Sequence, residues 1–240
     1  MMWEMTMVRS PRSIHPAGVW FAVGMLVLFV IERTVANATG AVEDDWDIAI
    51  GIGLTGILGA YLVAKRPDNR ISWLLAWIGI IGVAGGIADS ALPDGTVNPS
   101  DAQLILNAVG LGFFFGMFWL FLGVYPLLFP TGRALTPRWR IVGWVGSVSW
   151  LFFAVGGLLQ GEICLQFGLE GTPDDGTCLM ATANPIGIEG VEMAEFSSWG
   201  SVLLVLLLVS IAAAFVSMVV RYRRSGGLER RQMKLLLLAF

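Results

Sequence analysis

The sequence predicts an all-α integral membrane protein: a bundle of six transmembrane helices with its N-terminus in the cytoplasm. Three observations carry that reading. The chain is 56% hydrophobic and only 14% charged, against roughly 25% charge in soluble domains, so lipid must solvate much of its surface. Its apolar residues fall in long runs, the longest from Phe196 to Val220, and about 20 such residues carry a helix across a hydrocarbon core about 30 Å thick. Its charges alternate between basic and acidic blocks, the pattern left when Lys and Arg beside membrane helices resist translocation. Residues 1–240 read as one transmembrane domain, because no stretch is polar enough to build a second, soluble one.

The spans follow in order. Arg9, Arg12 and His15 precede the first, about 17–38. A cleaved signal peptide ending at Ala36-Asn37-Ala38 is the alternative, opposed by Glu32-Arg33 in the approach to that site. An acidic loop, Glu43 to Asp47, leads through Trp46 into the second span, about 46–64, which ends at Lys65, Arg66 and Arg70. The third span, about 71–92, starts at Ser72-Trp73 and ends near Asp89 and Asp94. The fourth, about 102–129, is long enough to tilt, and Pro126 should kink or end it. Arg133, Arg138 and Arg140 then precede the fifth, about 139–159. An external loop over 160–195 leads to the sixth, about 196–220, and a basic cytoplasmic tail over 221–234 follows. Leu235 to Phe240 is apolar again and reads as the first part of a seventh helix or as an interfacial tail.

This threading sorts charge. Of the 15 Lys and Arg, all but Arg33 fall on the cytoplasmic side, whereas of the 18 acids only Glu4, Asp68 and Glu229 do. A wrong set of spans would rarely separate the signs so well. Trp20, Trp46, Trp73, Trp139 and Trp199 fall at expected interfaces, where an amphipathic ring is at home. Glycines recur at helical spacing, Gly82/Gly86 and Gly112/Gly116 among them, and predict close helix packing within the chain rather than dimerisation.

Few residues offer chemistry. Cys164 and Cys178 lie in the same external loop, where an oxidising compartment favours a disulfide. Closing a loop of about 15 residues stabilises by about 3 kcal/mol in the chain-entropy account. A structural staple is the expected role, a redox-sensing pair the alternative. Glu32, Arg33, Asp89 and Asn107 form a candidate polar sensing cluster near the outer ends of three spans, since ionisable groups at membrane depth are costly unless paired. Asp89 could pair with Arg33 across the bundle, while Glu32 and Arg33, about 100° apart on one helix, should not share a partner. Solvation at the headgroup level is the expected state of all four. Arg221, Arg223, Arg224, Arg230, Arg231 and Lys234 form a basic segment able to bind anionic lipid at about 1 kcal/mol per charge.

Catalysis and cofactor binding find no support in this pattern. His15 is the only histidine, which leaves no Ser-His-Asp or Cys-His arrangement and no metal-ligand set. No nucleotide-binding glycine loop is expected without strands to precede it. Nucleic acid is an unexpected partner for a chain of formal charge -3. A small transporter or channel is the competing class, although the span centres offer mainly Thr55, Ser147, Ser149 and glycines.

Three cytoplasmic junctions together resemble a known family. These are RPDNRISWLL (Arg66 to Leu75), LFPTGRALTPRWR (Leu128 to Arg140) and VVRYRRSGGLERRQMKLLLLA (Val219 to Ala239). With Asn184-Pro185-Ile186-Gly187 in the external loop, they resemble the membrane input domain of bacterial sensor histidine kinases of the high-GC Gram-positive type, over about residues 15–240. The resemblance implies a non-catalytic sensor in a bacterial plasma membrane, relaying an external or membrane signal through its last helices to a kinase or response-regulator partner or within a homodimer. It departs from the family in one respect. These 240 residues hold no phosphoacceptor helix and no ATP-binding motif, so histidine kinase activity would require a longer chain.

Overall fold

The computed structural model describes residues 14–40, 46–93, 96–167, 178–191, 198–227 and 230–234. The acidic loop from Glu43 to Asp45, Arg9, Arg12 and the apolar segment Leu235 to Phe240 lie outside these residues, as do the side chains of Trp46, Asp47 and Trp199. Six long helices dominate: α1 (Pro16–Thr39), α2 (Trp46–Lys65), α3 (Arg70–Ala91), α4 (Asp101–Leu128), α5 (Trp139–Leu159) and α6 (Ser198–Arg224). Five of them, all but α2, contain stretches long and apolar enough to cross a membrane; α2 contributes a shorter apolar stretch, Ile50–Lys65. Exposed large hydrophobics such as Trp20, Leu54, Trp144 and Leu208 cover the outer faces, as lipid contact requires.

Helix starts and stops follow local chemistry. His15 Nδ1 accepts from Ala17 N ahead of Pro16, which suits a first turn with no use for an N–H. Asn69 caps α3 through its side chain, and Ser100 with Gln103 forms a capping box at α4. Pro126 does not end α4 at once. A π-helical segment, Trp119–Val124, precedes it, and a last α-turn, Tyr125–Leu128, runs through it before the chain turns at a cis Phe129–Pro130 bond. The missing proline N–H is absorbed by this local change of register.

Packing is tightest where side chains are smallest. A Cβ at Gly59 would collide with the backbone of Ala76, and one at Gly79 with the backbone of Gly56, so α2 and α3 touch backbone to backbone. Gly82 faces Ile52 and Met117, and Gly86 faces Glu32, so both glycines serve contacts within the chain. Trp119, 2% exposed, lies in a slot floored by Gly123 and Gly146, and its Nε1 donates to Ser147 Oγ at 3.1 Å. A large ring in a lipid-solvated bundle thus has its polar atom satisfied.

The expected external loop contains regular structure. Strands β1 (Glu162–Phe167) and β2 (Cys178–Ala183) pair antiparallel, from Glu162 opposite Ala183 to Phe167 opposite Cys178. The fold is therefore helical with a two-stranded ribbon, which corrects the all-α expectation. The ribbon is held by burial on one face: Ile163 and Leu165 pack with Leu92, Leu104 and Ala108, flanked by Leu158 and Met180. An isolated two-stranded hairpin is marginal in water; this one uses the ends of α3 and α4 as its third layer.

Contacts between helix ends divide the bundle into two poles. At one pole His15 N donates to Ala64 O, and Gly132 lies against Asn69 and Arg70, joining the start of α1, the end of α2, the start of α3 and the turn after α4. At the other, Thr39 Oγ1 donates to Ser90 O at 2.8 Å and Gln103 Nε2 to Ala91 O at 2.9 Å, joining the ends of α1 and α3 to the start of α4. The first pole carries Lys65, Arg66, Arg70, Arg133, Arg138, Arg140 and Arg221; the second carries the ribbon.

Candidate functional site

The basic pole holds the densest polar arrangement among the described residues. Helix α6 buries a stripe made of Ser210, Ala214, Ser217, Met218 and Arg221, spaced as one face of a helix. Small residues bring its backbone close to the bundle, and the stripe ends on a guanidinium. Arg221 is 6% exposed. Its Nη1 donates to Phe129 O (2.6 Å), Thr131 Oγ1 (3.2 Å) and Leu128 O (3.3 Å); its Nη2 donates to Arg133 O (2.7 Å) and Leu127 O (3.2 Å).

The acceptors explain why an arginine is there. The last carbonyls of α4 have no partner within the helix and carry the negative end of its dipole. A planar cation with several fixed donors satisfies them and complements that charge, which a lysine ammonium could match only in part. The turn itself is shaped by Gly132, whose φ of +73° suits glycine and whose Cα side faces Arg70 and Asn69. Gly132 N donates to Leu128 O and Asn69 Oδ1 accepts from Ile71 N, so both turns are internally bonded before they meet. The three junction sequences singled out above, at residues 66–75, 128–140 and 219 onward, are thereby neighbours in space.

The rest of the basic segment differs from Arg221. Arg223 and Arg224 are exposed at the end of α6, and Arg231 and Lys234 are exposed on the helical turn at 230–234. Arg230 lies over the Tyr222 ring at 5.1 Å, a cation–π distance. Met233 beside them is fully buried.

The four outer polar residues differ in burial. Helix α1 buries Gly18, Met25, Glu32 and Ala36 along one face, so Glu32 points inward and is 4% exposed. The expectation of a solvated Glu32 is therefore corrected: Gly86 on α3 leaves room for its side chain, and Ser90 Oγ donates to Oε1 at 3.5 Å. Arg33 turns to its own neighbour. Its Nε and Nη2 donate to Glu32 Oε2 and Oε1 in a fork, because the long arginine stem reaches back around the helix. Asp89 is exposed at the end of α3, and Asn107 is half-buried on α4.

Cys164 and Cys178 form a disulfide across the ribbon, with Cα atoms 5.7 Å apart. The ribbon is anchored by Asn184, whose Nδ2 donates to Leu158 O (3.0 Å) and Gln160 O (2.8 Å) at the end of α5 while its Oδ1 accepts from Ile186 N. Ile188 N donates to Leu159 O, and a Cβ at Gly187 would strike Gln160 O. Asn184-Pro185-Ile186-Gly187 is thus a cap: the amide satisfies orphan helix carbonyls and the glycine permits the approach. Among the described residues, no three His, Cys, Asp or Glu side chains gather as a metal site.

No protein-family model, curated protein or solved structure matches this chain.

Proposed function

We propose that this chain is a membrane input module of the kind found in bacterial sensor histidine kinases. It is threaded six times through the plasma membrane with its N-terminus and basic pole in the cytoplasm, and it relays an external or membrane signal through α6 to a kinase, a response-regulator partner or a second copy. The Arg221 clamp is the observation that supports this reading most directly. It couples the last helix to the turn after α4, and through Gly132 to the turn before α3, so a shift of the bundle would alter the path by which α6 leaves it. Two packings differing by a few kcal/mol suffice for such a relay. At the opposite pole the disulfide-closed ribbon rests on the ends of α3 and α4, where an external event would act on the same helices.

The threading and the relay are tested separately. Single cysteines at Leu135 and Ile188, in a chain lacking Cys164 and Cys178, should label from opposite sides of the membrane; labelling from one side removes the threading. Residues 1–234 fused to a reporter kinase core should show output that changes several-fold with Arg221→Gln and not with Arg223→Gln. Equal output from both variants removes the relay.

A further inference from the structure

Beside the clamp lies an open cleft of about 540 Å³, lined by Arg70, Leu128, Arg133, Ala134 and Arg140. Its three arginines come from separate elements: Arg70 from the first position of α3, Arg133 from the turn after α4 and Arg140 from the first turn of α5. All three are exposed, and among the described residues none of their side chains makes a hydrogen bond or an ion pair. Asp68, the carboxylate nearest in sequence to Arg70, is not part of the lining. Three uncompensated guanidinia around one cleft repel one another, and here the starts of α3 and α5 add the positive ends of two helix dipoles.

We propose that this cleft binds a phosphate group, and that the ligand is the headgroup of an anionic phospholipid. A carboxylate offers two oxygens and is satisfied by one arginine fork. A phosphate presents more oxygens and more charge, and arginine forks match it in pairs. The apolar part of the lining, Leu128 and Ala134, suits the glycerol and first methylenes of a lipid. Trp73, whose Nε1 donates to Pro67 O at 2.7 Å, lies in the first turn of α3 with Arg70, and Trp139 opens α5 beside Arg140, and such rings are at home among lipid headgroups. This assignment differs from diffuse attraction to the basic tail, because it requires three particular side chains. It also stands independently of the signalling proposal, since binding needs no output domain.

The test is titration of the detergent-solubilised full chain with phosphatidic acid, followed by native mass spectrometry, with phosphatidylcholine as reference. Two triple variants of equal net charge are compared: Arg70→Gln/Arg133→Gln/Arg140→Gln in the cleft and Arg223→Gln/Arg224→Gln/Arg231→Gln outside it. At about fivefold per charge, the cleft triple should bind phosphatidic acid roughly 100-fold more weakly, whereas the tail triple, whose diffuse attraction needs the charged bilayer surface that detergent removes, should stay within about threefold of the parent. Equal losses in both triples, or a loss under about threefold in the cleft triple, overturn the proposal. Should the cleft triple fail to fold, Arg140→Gln alone, exposed on α5, carries the same test at about fivefold. A competition arm with glycerol 3-phosphate identifies the source: no displacement at millimolar concentration is the expected result and makes the membrane lipid the ligand, whereas displacement that disappears in the cleft triple keeps the phosphate site and overturns the lipid as its specific occupant.

Discussion

The two poles of the bundle solve one problem by different means. Each must satisfy helix-end carbonyls close to lipid. At the ribbon pole the solution is local in sequence: Asn184 caps α5, whose last turn lies about two dozen residues earlier, and a disulfide spanning 14 residues closes the ribbon. At the basic pole it is long-range, because Arg221 caps the end of α4 from 92 to 94 residues away. A local cap stabilises its own loop, whereas a long-range cap makes the position of one helix depend on another. The ribbon pole is therefore built to hold its shape, and the basic pole to couple α6 to α4 and α3.

That contrast breaks most clearly at Arg221. Arg221→Met removes five donated hydrogen bonds and should cost about 4 kcal/mol, read as loss of helical signal in a denaturant titration of the detergent-solubilised chain. Arg221→Lys should recover less than half of it, since an ammonium cannot reproduce the fork. Replacing both cysteines by serine should cost about 3 kcal/mol. This loss is confined to the ribbon, so hydrogen exchange should rise in β1 and β2 and stay unchanged at the turn after α4. A global increase would erase the distinction between the poles.

Smaller effects sharpen the comparison. Asn184→Ala leaves the Leu158 and Gln160 carbonyls without their amide and should cost about 2 kcal/mol, with faster exchange at the end of α5. Glu32→Gln keeps the shape of the buried side chain and should cost about 1 kcal/mol, whereas a change within about 0.3 kcal/mol would show that its charge contributes nothing to the Arg33 fork. Arg223→Gln, two positions from the clamp but exposed, should lie within about 0.5 kcal/mol of the parent. If it matches Arg221→Met, the segment acts by charge alone and the clamp has no special standing.

Parts of this arrangement were legible before any coordinates. The helix ranges agree with the expected spans to within a few residues because apolar length is visible along a single strand of sequence. The disulfide was legible because two cysteines in one loop have few alternatives. The ribbon was not, since 162–167 and 178–183 are short segments whose pairing depends on a disulfide and on a surface supplied by α3 and α4. Glu32 is buried where solvation is expected, and the signal for it is the spacing of Gly18, Met25, Glu32 and Ala36 along one helix face. For Arg221 the signal was Ser210-Ala214-Ser217-Met218, a stripe of small and apolar residues that runs into one arginine and bypasses its neighbours.

By itself the sequence determined that this chain carries helices apolar enough for a membrane, where they run and how its charges alternate. Those properties sum residue by residue, because the free energy of leaving water is nearly additive along the chain. Only the tertiary structure decided which arginine is a clamp, which line an open cleft and which are left in solvent. Identical side chains differ there through the acceptors brought to them by segments far away in sequence.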